Sequence, residues 1–205
     1  TGVVIPALIG GSGSVLSYRF TDPTTGCSNI STIQALVTPP IQAIAGNNDS
    51  LCVDFGKKRL SGYTPTSGGT WSGPGIIAGT DTFNTRLAGV GLHRLIYSFG
   101  IKTCKTLDTI FIKVFPLPRP NFTAPNSCLV NSVAFSNTTS LGVSGVATYL
   151  WDFGDASSST DFQPTKVYNA SGTYNVRLTV TNSRGCDSFI VKLSLIHISE
   201  PTRPY

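Results

Sequence analysis

The letters "DFG" at residues 152–154 form the triplet that marks the magnesium-binding loop of protein kinases. A kinase also needs a glycine-rich loop, a strand lysine and a catalytic loop with its own Asp and Asn. The nearest match to that catalytic loop is "HRL" at His93, which lacks the aspartate. The triplet therefore does not predict phosphoryl transfer, and it needs another explanation.

Two further features suggest chemistry only when they are read alone. The spaced glycines of "GPGIIA" (residues 73–78) fit a dinucleotide-binding loop, but Pro74 and Gly79 exclude the helix that such a loop must open. His93 stands at the start of an alternating strand, without a carboxylate partner, a metal-ligand spacing or a nucleophile. We interpret the first as a turn and the second as a strand-end histidine, so the sequence predicts no enzyme and no cofactor.

Three aspartates form a weaker candidate for calcium binding. Asp152, Asp155 and Asp161 lie close in sequence, and Ca²⁺ prefers carboxylate and carbonyl oxygens on loops. Strand alternation separates Asp152 from the turn, however, and aspartates commonly cap turns through the neighbouring backbone. We therefore predict no metal site, with calcium at these three residues as the less favoured alternative.

The charge pattern argues against nucleic acid and against membrane insertion. The net charge is +5, yet the cations are scattered and the one cluster is Lys57-Lys58-Arg59. A single basic triplet without interleaved aromatic residues is typical of a solvated turn or strand edge. No apolar run approaches the ~20 residues of a membrane-spanning helix, and no signal peptide is visible at Thr1.

The composition indicates strands and turns. The 205 residues include 21 Gly and 13 Pro, no Met and a single Glu, which is Glu200. Chains poor in Glu and Met but rich in Thr, Val, Ile, Tyr and Phe favour sheets over helices. The predicted fold class is all-β.

Three stretches of the chain are versions of one pattern, and they begin at Gly11, Gly89 and Ser171. Each has an alternating apolar strand, a polar turn that ends in Cys, and a second apolar strand. A period of two places one set of side chains on one face of an antiparallel sheet. The turn cysteines are 77 and 82 residues apart, a spacing that suits a β-sandwich module of about that length.

The repeat divides the five cysteines into those early and those late in a module. Cys52 and Cys128 lie early in their modules, 52 and 58 residues before the late cysteines Cys104 and Cys186. The spacing predicts the disulfides Cys52–Cys104 and Cys128–Cys186, and it leaves Cys27 as a late cysteine whose early partner would precede Thr1. Structural disulfides persist in oxidising compartments, so we expect a location outside the cytoplasm.

Proline-rich segments at 37–46 and 115–125 predict short, stiff joints between modules. They divide the chain into the C-terminal part of a truncated module (1–38), a complete module (39–117), a third module (118–193) and a tail (194–205). Modules on stiff joints indicate a stalk.

The third module resembles the PKD (polycystic kidney disease) domain family. The resemblance is carried by "WDFGD", by the step from Pro164 to Tyr168, by "SGTYNVRLTVTN" and by the closing "RGC". It implies an immunoglobulin-like β-sandwich in which the triplet shapes a strand-to-turn corner, while Ala156 replaces the usual Gly. The residues to which it assigns structural roles are Trp151, Asp152, Phe153, Gly154, Asp155, Tyr168, Gly172 and Tyr174.

Two other resemblances concern the flanking segments. Residues 39–117 resemble the immunoglobulin-like repeats of large surface proteins from gliding bacteria that use type IX secretion, and this resemblance is carried by "GGTWSGPGIIAGTDTFNTRLAGVGLHRLIYSF". Residues 1–38 resemble the second half of the same repeat. Residues 193–203, "LSLIHISEPTR", resemble the conceptual translation of a sequencing adapter, which implies a non-native tail.

Together these features predict non-catalytic spacer and adhesion modules of a large secreted or cell-surface bacterial protein, with surface glycans or other proteins as partners. The alternative is a set of accessory modules of a secreted hydrolase that degrades polysaccharide or protein. Fold alone does not separate the two.

Overall fold

The computed structural model describes residues 14–35, 39–101, 104–128 and 131–197, and they are nearly all in strands, turns and loops. The described residues include one short α-helix, α1 (Thr85–Ala88), which is capped by Asn84, whose side chain accepts from the Arg86 backbone N–H. The predicted all-β class is confirmed. The strands are β1 (Ser14–Thr21), β2 (Ser28–Ala35), β3 (Asp49–Cys52), β4 (Lys57–Arg59), β5 (Gly69–Ser72), β6 (Thr82–Asn84), β7 (Gly91–Phe99), β8 (Thr106–Phe115), β9 (Phe122–Thr123), β10 (Ser127–Cys128), β11 (Ser132–Ala134), β12 (Ser136–Asn137), β13 (Thr148–Asp152), β14 (Ser158–Ser159), β15 (Thr165–Val167), β16 (Gly172–Thr181) and β17 (Asp187–His197).

The first module is represented by the antiparallel hairpin β1–β2, with Cys27 in its turn. Leu16, Tyr18 and Phe20 share one face of β1, as their alternation predicts. Tyr18 and Phe20 are exposed, because no second sheet covers this face among the described residues. Residues 1–13 and 36–38 of the predicted first segment lie outside the described residues.

The second module is a two-sheet sandwich. One sheet has the strand order β3-β8-β7-β5, and the other is the pair β4-β6. Alternate residues of β7 and β8 point inward and pack against Phe83 of β6, Leu60 and Leu51. The inward residues of β7 and β8 are Leu95, Tyr97, Ile110, Ile112 and Val114.

The third module repeats this plan. Its main sheet has the order β10-β17-β16-β13-β14, and the pairs β11-β15 and β9-β12 lie outside that sheet. Val176, Leu178 and Val180 alternate inward along β16 and join one apolar core with Trp151 and Phe122. This core contains no residue of the second module's core, so each module has its own.

Both modules share one unusual pairing. β3 runs parallel to β8, and β10 runs parallel to β17, whereas the remaining strand pairs of the two main sheets are antiparallel. The hairpins β1–β2, β7–β8 and β16–β17 each have a cysteine in the turn that precedes their second strand. The repeat predicted from the sequence is therefore a repeat of topology.

β17 runs beyond the point where the sequence suggested that the module's pattern stops. Ser194 and Ile196 are buried and Leu193 and Leu195 are exposed, so the alternation along β17 continues past residue 193, the predicted end of the third module. The first residues of β16 supply backbone partners for this stretch, with Gly172 opposite Ile196. Ser194 Oγ is nevertheless buried without a partner among the described residues. The adapter origin of 193–203 remains a prediction, and 198–205 lie outside the described residues.

Candidate functional site: the joint between the second and third modules

The end of β8 and the hairpin turn between β16 and β17 meet where the second module passes into the third. We call this contact the joint; it comprises Cys52, Phe115, Pro116 and the turn 182–186. Cys52 lies on β3 opposite Phe115, the last residue of β8. The turn 182–186 contributes Cys186, which is 1% exposed.

A disulfide closes the joint. Cys52 is bonded to Cys186, with their Cα atoms 5.6 Å apart and a separation of 134 positions in sequence. The predicted pairings Cys52–Cys104 and Cys128–Cys186 are therefore wrong. Of the cysteines whose side chains are described, Cys27 and Cys104 are free and exposed.

The topology explains why the sequence prediction failed. Cys104 lies just before β8 and Cys52 lies beside its last residue, so the ten residues of β8 separate them. At ~3.3 Å per residue that separation is about 30 Å, whereas a disulfide needs Cα atoms within about 7 Å. Cys128 likewise pairs its backbone with His197 at one end of β17, and Cys186 precedes the other end.

Asn182 shapes the turn and also ties it to the second module. Its Oδ1 accepts hydrogen bonds from the backbone N–H groups of Arg184 at 3.0 Å and Cys186 at 3.2 Å. Its Nδ2 donates to the Pro116 carbonyl oxygen at 3.2 Å. The side chain is buried, so these bonds satisfy groups that water does not reach.

Two further contacts fill the joint. The Arg184 guanidinium carbon lies 5.2 Å from the centre of the Phe115 ring, in cation–π geometry. Gly142 approaches Pro116 so closely that a Cβ there would lie 3.1 Å from Pro116 Cγ. The joint therefore combines a peptide link, a disulfide, a hydrogen bond and ring contacts.

The "DFG" triplet lies at a strand-to-turn corner of the third module. Trp151 is fully buried, and its Nε1 donates to the Asp161 carbonyl oxygen at 2.9 Å. Its ring packs edge-on against Phe122 at 5.0 Å and lies parallel to Phe153 at 6.4 Å between ring centres. Leu150 is exposed, as is Asp152, so the alternation expected along this strand is present.

The turn after the triplet is held by its own carboxylates. Asp152 Oδ1 accepts from the Gly154 backbone N–H at 2.9 Å. Gly154 has φ +78°, and a Cβ there would lie 2.9 Å from the Asn175 carbonyl oxygen, so glycine is required. Ala156 also has a positive φ, of 67°, in a conformation that alanine adopts at a cost.

Tyr168 and Tyr174 support the corner from the side. The Tyr168 hydroxyl donates to the Phe153 carbonyl oxygen at 3.1 Å, and the two tyrosine rings lie 4.1 Å apart. Burial, together with the charge of Asp155 and the neighbouring Tyr174, raises the pKa of Tyr168 to about 12. Gly172 begins β16, which pairs with β13 behind the corner.

The three aspartates considered for calcium do not converge. Asp155 pairs with Lys166 at 2.7 Å, and Asp161 accepts from the Ser159 hydroxyl at 3.1 Å. Burial raises the pKa of the Asp155 carboxyl, but the hydrogen bonds from Lys166 and Ser157 outweigh it and keep the pKa below its usual value. Within the described ranges no cluster of three His, Cys, Asp or Glu side chains is placed to hold a metal.

The other candidates from the sequence are parts of the second module's framework. His93 Nε2 lies 2.8 Å from the Gly89 carbonyl oxygen. The "GPGIIA" segment is a turn, and Ile76 forms an isolated bridge with Phe83. In the basic cluster, Lys58 pairs with Asp49, and Arg59 pairs with Asp81 at 2.8 Å.

Trp71 is flanked by glycines in the sequence but belongs to the buried core of the second module. It lies in β5, is 9% exposed and packs against Tyr63 and Tyr97 with ring centres 5.6 and 5.1 Å away. Its Nε1 is buried without a hydrogen-bond partner among the described residues. A cavity of about 460 Å³ borders these rings, with the Arg59–Asp81 pair on its wall.

No helix among the described residues has the length and hydropathy needed to cross a bilayer.

The fold and the joint define a class: immunoglobulin-like β-sandwich modules in tandem, locked to one another by a disulfide. A family model described as "PKD domain" matches residues 116–192, so this part of the chain is a PKD domain. The resemblance stated from the sequence is thus confirmed. For residues 116–192 this match indicates a non-catalytic accessory module.

The relatives contain this region as a small part of a longer protein. Collagenase ColA of Bacillus cereus is 44% identical over 70 residues, which is 33% of this chain and 7% of that protein. The pre-pro-metalloprotease PrtV of Vibrio cholerae is 44% identical over 54 residues, covering 26% and 6% respectively. The crystal structure of the PKD1 domain of Vibrio anguillarum Epp is 28% identical with a TM-score of 0.38, and it covers 40% of this chain and 95% of its own.

Proposed function

We propose that the chain is a stiff, non-catalytic spacer of a secreted or cell-surface bacterial protein. Its modules hold other domains at a fixed distance and contribute weak adhesive contacts to surface glycans or proteins, which add up over many modules. The observation that carries this proposal is the joint, in which the Cys52–Cys186 bond supplements the peptide link.

Stiffness follows from having two covalent links rather than one. A single peptide link leaves two sandwiches free to swing about it, whereas a second link beside it removes most of those orientations. The Asn182 hydrogen bond to Pro116 and the Arg184 contact with Phe115 occupy the space that swinging would open. Spacing between attached domains is then set by module length.

An extracellular location is supported by the same bond. Structural disulfides are rare in reducing cytoplasm and persist outside it. On the chain-entropy model, closing a loop across 134 residues stabilises the folded chain by about 5 kcal/mol. A cytoplasmic chain would lose that contribution.

Distance distributions across the joint test the spacer proposal. Spin labels on an unnatural amino acid at the exposed positions Leu107 and Leu150 place one label in each module. We expect one narrow distance distribution for the native chain and a broader one for the matched control Cys52→Ser/Cys186→Ser. A native distribution as broad as that of the control would contradict the proposal.

A second candidate is an accessory module of a secreted hydrolase. It is favoured by the 44% identity over 70 residues to Collagenase ColA. The complete coding sequence separates the two candidates, because a catalytic domain in the same protein supports the accessory role, whereas further repeats with a sorting domain support the spacer role. Co-sedimentation of the native chain with insoluble collagen tests the protein-degrading form of the second candidate directly.

A further inference from the structure

The hairpin turn of the first module shares several internal bonds with the turn in the joint, although it is one residue longer. Asp22 Oδ1 accepts from the Thr24 backbone N–H at 2.7 Å, as Asn182 Oδ1 does from that of Arg184 at 3.0 Å, two residues on in both cases. The second bonds differ, because Asp22 accepts from Thr25 at 3.2 Å, whereas Asn182 accepts from Cys186. The Asp22 N–H donates to the Cys27 carbonyl oxygen at 2.8 Å, and the Asn182 N–H donates to that of Cys186 at 2.9 Å. Cys27 thus occupies the position that Cys186 occupies in the joint.

The glycines before these two cysteines also match. Gly26 and Gly185 have φ of 73° and 77° and directly precede Cys27 and Cys186. Cys104 lies at the same place in the second module, between β7 and β8. We call Cys27, Cys104 and Cys186 the hairpin cysteines.

Cys52 and Cys128 form the other set, the strand-end cysteines. Each ends a short strand that runs parallel to the last strand of its module, β8 or β17. The second and third modules therefore each present a strand-end cysteine where the chain leaves the module and a hairpin cysteine at the opposite end, where the previous module adjoins it. In a head-to-tail array, the two kinds of cysteine meet at each joint.

We propose that the Cys52–Cys186 bond is one member of a staggered series, in which each strand-end cysteine bonds to the hairpin cysteine of the next module. Cys104 is then the attachment site for the strand-end cysteine of the module before the second module. Cys27 is the attachment site for the strand-end cysteine of the module before the first. Cys128 is the matching donor for a following module. The partner is a β-sandwich of the same kind in the same polypeptide.

The chemistry is thiol–disulfide exchange with a small disulfide oxidant such as oxidised glutathione. One thiolate attacks the oxidant and releases one glutathione thiol, and the second cysteine then attacks the mixed disulfide and releases the other. Two cysteine thiols lose two electrons and two protons in total, and these reappear as two glutathione thiols. The exposure of Cys104 and Cys27 gives the oxidant access.

Duplication of the second module tests the series within one chain. Pro39 and Pro116 both lie 12 residues after a hairpin cysteine, so a second copy of residues 39–115 inserted between Phe115 and Pro116 keeps the joint in register. Ser50→Thr in the first copy gives its Cys52 peptide a distinct mass. Two matched variants then carry Cys104→Ser, one in the first copy and one in the second.

The proposal predicts opposite results for the two variants after oxidation with glutathione. With Cys104→Ser in the first copy, Cys52 of the first copy forms a bond with Cys104 of the second and resists alkylation. With Cys104→Ser in the second copy, that Cys52 remains an alkylatable thiol. The bond from the second copy's Cys52 to Cys186 reports correct folding in both variants. Two results would overturn the proposal. One is that Cys52 of the first copy can be alkylated in the first variant. The other is a Cys52–Cys104 bond within the first copy in the second variant.

Discussion

The two tryptophans provide a matched test of how the cores are built. Both lie in corresponding strands, Trp71 opposite Tyr97 in β5 and Trp151 opposite Leu178 in β13. Both are buried, but Trp151 Nε1 donates to Asp161 at 2.9 Å, whereas Trp71 Nε1 has no partner among the described residues. The same substitution, Trp→Phe, should therefore have different costs in the two modules.

The magnitudes follow from the lost ring and the lost hydrogen bond. Replacing indole by phenyl leaves a cavity of about 40 Å³, which costs about 1 kcal/mol, and loses transfer free energy of about 1 kcal/mol. Trp151→Phe also breaks a hydrogen bond of about 1 kcal/mol, so we expect a loss of about 3 kcal/mol. Trp71→Phe removes a buried, unpaired N–H whose burial costs about 1–3 kcal/mol, so its net effect should be near zero.

Amide hydrogen exchange read by mass spectrometry measures both modules in one chain. Peptides from β7 report the free energy of opening of the second module, and peptides from β16 report that of the third. We expect Trp151→Phe to lower protection in β16 by about 3 kcal/mol and Trp71→Phe to leave β7 nearly unchanged. Equal losses, or a larger loss for Trp71→Phe, would contradict the roles assigned to the two indole N–H groups.

Three further predictions concern the third module. Ala156→Gly should raise the free energy of unfolding of the third module by up to about 1 kcal/mol, because φ is positive at this position. Denaturant unfolding measures the change, with Ala134→Gly in β11 as a destabilising control. A lower stability of Ala156→Gly would contradict the prediction. The folded-state pKa of Tyr168, about 12, exceeds the ordinary tyrosine value near 10. The free energy of unfolding should therefore be at its full value below pH 10 and fall by about 2–3 kcal/mol up to pH 12. Tyr168→Phe should flatten this pH dependence, and an unchanged pH dependence in the variant would contradict the prediction. Ile196→Ala should lower the free energy of unfolding by about 2–4 kcal/mol, because Ile196 is 3% exposed. Leu195→Ala should lower it little, because Leu195 is 38% exposed. Equal melting temperatures of the two variants would contradict the placement of β17.

Local sequence patterns were sufficient for the strands and the corner. Alternation along β7 and β16 predicted which side chains point inward, because a period of two maps directly onto the faces of a strand. The glycine-like conformation of Ala156 was anticipated from the residue that the PKD pattern usually has there. Both features depend on neighbours within a few residues.

The joint and Trp71 depend on long-range geometry that spacing does not contain. Cys52 and Cys104 have a regular separation in sequence, but the direction of β3 relative to β8 places them at opposite ends of a sheet. The parallel pairing of β3 was not visible in its four residues. The glycines around Trp71 do not indicate that β5 places its ring against Tyr63 and Tyr97.

The most direct test of the joint is a peptide map of the native chain without reduction. Cleavage with trypsin and Asp-N separates Cys27 from Cys52, because Asp49 lies between them. After free thiols are alkylated, we expect a cross-linked peptide pair containing Cys52 and Cys186, with Cys104 and Cys27 alkylated. A pair containing Cys52 and Cys104 would show that each module closes on itself, and the locked joint would be refuted.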